Sequence, residues 1–115
     1  MRQHEGLTAM RWAAFSADQQ ILMIANELHR ARKLMDADDD SRRRNSYERV
    51  LYLTDLTIGA QQGHSLRREL LRFRDLAAGL YLESSPGAEP QADLLRALLL
   101  LTPESARQRA PLGLA

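Results

Sequence analysis

Between Ser65 and Glu83, Leu66, Leu70, Phe73, Ala77 and Leu80 recur at alternating steps of four and three residues. Such steps return a side chain to one face of an α-helix, whereas a half-buried strand alternates every second residue. Leu71, Leu76 and Tyr81 widen that face. A helix with a wide apolar face must cover it against a partner, so the rest of the chain is read for helices able to do so.

Three further segments qualify. Ile21, Ile24, Ala25, Leu28, Ala31 and Met35 share one face of a helix expected over 16–35, and Ser16 followed by Gln19 is a capping-box pattern at its start. Tyr47, Val50, Leu51, Thr54 and Ile58 form a stripe on a helix expected over 40–60, widened by Leu53 and Leu56. The run "LLRALLLL" within 91–101 puts Leu94, Leu95, Leu98, Leu99, Leu100 and Leu101 around most of a helix circumference. "GAQQGH" and "SSPGAEP" supply the glycines and prolines that end one helix and turn the chain, with Pro90 placed to open the next. No segment alternates convincingly enough to be a strand.

Short connections between long helices make neighbours antiparallel, and the expected fold is all-α: an up-and-down four-helix bundle with a short N-terminal arm or helix. The arm is 1–15, where Thr8 can cap a segment carrying Met10, Trp12, Ala13 and Phe15. "TPES" can cap a last turn before a frayed tail over 107–115. At 115 residues the chain has room for one domain with a single core.

Composition narrows function mostly by exclusion. There is no cysteine, which removes disulfides and thiolate metal sites. The net charge of +1 argues against a general polyanion binder. The leucine run is interrupted by Asp93 and Arg96 and is far short of the ~20 apolar residues of a membrane span. The opening "MRQHEGLTAMRWAAF" has no long apolar run, so cytoplasm is the expected compartment, with no membrane and no cofactor. All basic residues except Lys33 are arginine, a bias that fits phosphate or carboxylate recognition and fits a GC-rich genome equally.

The break between the first two long helices reads "LMDADDDSRRRNSYERV". Asp36, Asp38 and Asp40 occupy the first, third and fifth positions of a calcium loop. Ser41 then stands where the turn glycine belongs and Tyr47 where the bidentate glutamate belongs. The aspartates are better explained as charges favoured at a helix amino end and paired with Arg42, Arg43 and Arg44. A second basic cluster, Arg67, Arg68, Arg72 and Arg74, lies along one helix, with Arg68 and Arg72 on a shared face and Glu69 and Asp75 close enough to answer some of the charge.

His4, His29 and His64 are too dispersed for a zinc motif, and no HExxH, GxSxG or phosphate-binding glycine loop is present. His29, one position from core Leu28, is expected at the border of the buried face. Size and helix count resemble the small HEPN bundles, whose nuclease members carry an Arg followed by a His after four to six residues. No pair here has that spacing, which leaves only a noncatalytic adaptor of similar architecture.

The expected role is therefore a non-enzymatic protein-interaction module of the adaptor or chaperone-like kind, self-associating as a dimer. Leu98, Leu99 and Leu101 are the interface candidates, with Tyr81 and Trp12 as aromatic anchors. The same residues can instead complete a monomer core. The alternative is binding of nucleic acid or another anionic partner through Arg42, Arg43, Arg44, Arg67, Arg68, Arg72 and Arg74. A third possibility is an enzyme in which the fold brings His29 or His64 beside carboxylates.

Overall fold

The computed structural model describes residues 9–36, 40–60, 63–83, 88–108 and 111. Among the described residues six helices follow in order: α1 (Ala9–Ala13), α2 (Ala17–Asp36), α3 (Asp40–Ala60), α4 (His64–Leu82), α5 (Ala88–Leu99) and α6 (Pro103–Ala106). Among the described residues there is no strand. Helix α2 packs on α3, α3 on α4, α4 on α5, and α5 closes the ring against α2, which defines a four-helix bundle. α1 lies on α3 and α6 on α2. Contacts of Glu48 with Tyr81 and Asp55 with Arg74 run in opposite directions along α3 and α4, as antiparallel neighbours require.

Local signals explain several boundaries. The backbone N–H of Gln19 donates to the Ser16 hydroxyl at 3.1 Å, and the N–H of Ser16 donates to Gln19 Oε1 at 2.9 Å. This reciprocal capping satisfies two groups left orphaned at the start of α2, and such a cap is typically worth ~1 kcal/mol. Thr102 caps the last turn in one direction, its hydroxyl accepting from the N–H of Ser105 at 3.2 Å. Helix α5 begins at Ala88, three residues earlier than expected, with Pro90 inside its first turn. Proline is tolerated there because the first N–H groups of a helix have no intrahelical acceptor. The expected frayed tail falls mostly outside the described residues.

The core is built from Ile21, Ile24, Ala25, Leu28 and Ala31 of α2, Tyr47, Val50 and Leu53 of α3, Phe73 and Ala77 of α4, and Leu94, Leu95, Leu98 and Leu99 of α5. Trp12 joins it from α1. Its indole N–H donates to the Thr57 hydroxyl at 2.9 Å, and that hydroxyl donates to Leu53 O, also at 2.9 Å. Gln20 donates through Nε2 to Trp12 O and Phe15 O, so the arm is held by its backbone as well as by its ring. Across the bundle the Tyr47 hydroxyl donates to Gln91 Oε1 at 2.8 Å. These bonds satisfy polar groups that would otherwise be costly to bury.

Candidate interaction surfaces

The structure redistributes the residues expected to meet a partner. Trp12, Leu98 and Leu99 lie in the core of the chain itself and have no surface to offer a second molecule. The physical reason is that α5 is enclosed by α2 on one side and α4 on the other, so most of its circumference is covered. Leu101 and Tyr81 are half-buried and pack against that core. The Tyr81 hydroxyl donates to Glu48 at 2.9 Å, and this bond, ahead of burial, raises its pKa.

The apolar surface lies instead on α4. Leu71, Leu76 and Leu82 are 46%, 59% and 77% exposed. Leu76 also lines a groove of about 540 Å³ between α4 and α5, together with Gly79, Leu80, Pro90, Leu94 and Ala97. Three carboxylates, Asp75, Glu83 and Asp93, stand among the residues lining it. Asp93 is bonded by Arg96 at 2.8 Å. A β-carbon built on Gly79 meets nothing within 4 Å, so nothing in the chain itself demands glycine in this helix interior. In the sequence Leu71 and Leu76 looked like a widening of the buried face. The available warning was Asp75 and Gly79 at their side.

Arg42, Arg43 and Arg44 do not share one patch. Arg43 turns inward, is almost fully buried, pairs with Asp40 and sits with its guanidinium 5.9 Å from the centre of the Tyr47 ring. Arg44 pairs with Asp40 at 3.5 Å and lies 5.9 Å from the centre of the Tyr81 ring. The hydrogen bond from Arg43 is the main cause that lowers the pKa of Asp40, with both arginine charges adding to it. Asp40 thus serves as a partner for arginine, and Asp38 lies outside the described residues. Among the described residues no group of three potential ligands could hold a metal ion. On α4, Arg74 is tied to Asp55 of α3 and Arg72 lies 3.7 Å from Glu69, while Arg67 and Arg68 are exposed.

Arg42 faces a different neighbour. It lines a polar concavity of about 160 Å³ between α2 and α3 with Arg30, Leu34, Asn45, Ser46 and Arg49. Arg49 is bonded to Glu27 at 3.1 Å. Arg30 and Arg49 escape a reading of sequence clusters because nineteen positions separate them and only the antiparallel pairing of α2 with α3 brings them together.

His29 is half-buried at the edge of the α2 core face, and its Nδ1 has no hydrogen-bond partner among the described residues. Burial lowers its pKa first, with the charges of Lys33 and Arg32 adding to the effect. It lines neither the α4–α5 groove nor the α2–α3 concavity. The side chain of His64, like all of His4, lies outside the described residues. No helix among the described residues is long and apolar enough to cross a membrane. Comparison with protein-family models, curated proteins and solved structures finds no match for this chain.

Proposed function

We propose that this chain is a non-enzymatic helical interaction module that pairs with a second copy of itself through α4 and the α4–α5 groove. The observation that carries the reading is exposed Leu76 of α4 at the edge of an apolar groove, on a bundle whose leucine-rich α5 is already covered. Contiguous exposed apolar surface of this kind marks association sites more often than scattered single residues do.

Charge chooses the second copy as occupant. The first half of α4 carries exposed Arg67, Arg68 and Arg72, whereas Asp75 and Glu83 lie toward its other end and line the groove with Asp93. An antiparallel α4 from another molecule, centred near Leu76, brings Arg67 and Arg68 of each helix toward Glu83 of the other, the reciprocal pairing of a two-fold interface. Gly79 leaves room for close approach of that second backbone.

Nucleic-acid binding has weaker support, since Arg43, Arg44 and Arg74 are engaged by carboxylates of the chain itself. Light scattering during size-exclusion chromatography over a concentration series tests the reading: the expected mass is twice 13.0 kDa. Leu76→Glu is expected to give a monomer with unchanged helicity, because the residue is exposed in the isolated chain. A wild-type monomer at every concentration overturns the reading.

A further inference from the structure

Asp75 and Glu83 are the first and last of the α4-side residues that line the α4–α5 groove, and both are exposed. Glu83 is the residue that caps α4, so the two carboxylates stand roughly 12 Å apart along the helix at about 1.5 Å per residue. Between them the wall is apolar: Leu76, Gly79 and Leu80 on the α4 side, Pro90, Leu94 and Ala97 on the α5 side. The volume of about 540 Å³ falls in the range of small-molecule sites, roughly 300–1,000 Å³, whose walls are mostly apolar with a few placed polar groups.

Charge narrows the occupant. Among the described residues that line the groove, all three charged ones are carboxylates. Asp93 of α5 is bonded by Arg96 at 2.8 Å, and Arg74, beside Asp75 in the sequence, is tied to Asp55 of α3. A further cation therefore gains most at Asp75 and Glu83, one toward each end of the apolar wall. A ligand with methylenes in the middle and an ammonium at each end buries its chain against the leucines and keeps its charges at the exposed rim, as a lysine stem and head divide between apolar surface and water.

We propose that the α4–α5 groove is a binding site for a linear aliphatic diamine, and that the bound diamine displaces the second copy. The displacement rests on the pairing proposed above, whereas the binding does not. An extended octane chain sets its two ammonium groups at about the separation of Asp75 and Glu83. The second copy needs the same apolar wall and the same Glu83, toward which its Arg67 and Arg68 are brought, so the two occupants exclude one another. A ligand that binds the single chain and not the pair shifts the equilibrium toward the single chain by mass action.

The test is a two-dimensional amide NMR titration of the full-length chain with octanediamine at fixed pH and constant ionic strength, beside octylamine, octanediol and butanediamine. Sedimentation equilibrium of the same samples reads the mass. Octanediamine is expected to give saturable shifts centred on Leu76, Gly79, Leu80 and Glu83. Octylamine, with one ammonium, is expected to bind about two- to fivefold more weakly, the range of one solvent-exposed ion pair, and octanediol more weakly again. Butanediamine has both charges but cannot span the two carboxylates, and it is expected to bind about tenfold or more weakly because fewer methylenes leave water. Asp75→Asn and Glu83→Gln are each expected to bring octanediamine to the affinity of octylamine without changing helicity. Saturating octanediamine is expected to lower the mass from twice 13.0 kDa to 13.0 kDa. Octanediol or butanediamine binding as tightly as octanediamine, or shifts that do not saturate, overturn the site. Bound octanediamine that leaves the doubled mass unchanged overturns the displacement. A monomer in the absence of amine overturns the pairing and the displacement with it, and the titration then decides the site by itself.

Discussion

Helices α4 and α5 use the same residue type to opposite ends. α5 is the leucine-rich element, yet Leu94, Leu95, Leu98 and Leu99 disappear into the bundle; α4 has the more regular stripe and leaves Leu71, Leu76 and Leu82 in solvent. The difference arises from neighbours. α5 is a short helix closing the ring between α2 and α4, whereas the outer side of the longer α4 has no described element against it. An apolar count around a helix therefore predicts how much surface needs covering, and the position in the ring decides how much the chain covers by itself.

The largest expected effect tests this contrast directly. Leu98→Ala removes a fully buried side chain and is expected to cost about 2–5 kcal/mol, with the spread set by how far the cavity collapses. Leu76→Ala, in dilute monomer, is expected to stay within about 0.5 kcal/mol of wild type. Urea denaturation of both variants checks the ratio, and equal losses would erase the distinction between the two helices.

Gly79→Ala sharpens the same comparison by separating stability from association. A β-carbon there meets nothing, so the variant is expected to stabilise the isolated chain by roughly 0.5–1 kcal/mol through helix propensity. The methyl group narrows the groove, and sedimentation equilibrium is expected to show weaker pairing. A gain in both stability and association would mean that the groove does not receive a second backbone.

The smallest effect compares the two tyrosines that report on these sides of the bundle. Burial pushes the Tyr47 phenol from 10.0 up to about 12, while its neighbour Arg43 acts against the shift. The folded state thus keeps a proton that the unfolded chain releases, so this contribution is intact below pH 10 and is lost as pH rises from there to about 12. Tyr81 shifts in the same direction through its bond to Glu48, but on the more open α4 side. Tyr47→Phe is expected to flatten the alkaline fall in melting temperature more than Tyr81→Phe does.

Much of this architecture is legible in the sequence where the cause is local. Ser16 and Gln19 are three residues apart, and their reciprocal bonds follow from that spacing. The predicted α2 face, from Ile21 to Ala31, is the buried face, because every member is apolar and the period is unbroken. The face of α3 is harder to read, since Arg43, Ser46, Thr54 and Thr57 are buried within it beside Tyr47 and Val50. A buried arginine looks like a surface residue until Asp40 and an aromatic ring are seen beside it. The candidate sites were least legible. Which leucines stay exposed, and that Arg30 and Arg49 line one concavity, are decided by contacts between helices, which hydrophobic period does not encode.

Trp12 is the chain's one tryptophan, and it sits in the seam between α1 and α3. Its emission is therefore a reporter of arm docking, built into the protein without labelling. Far-ultraviolet ellipticity, dominated by α2 to α5, reads the bundle instead. Followed together through a denaturant series, the two signals measure whether the arm lets go with the rest of the molecule or ahead of it. Coincident curves define one cooperative unit, and an earlier red shift of the emission assigns the arm a stability of its own.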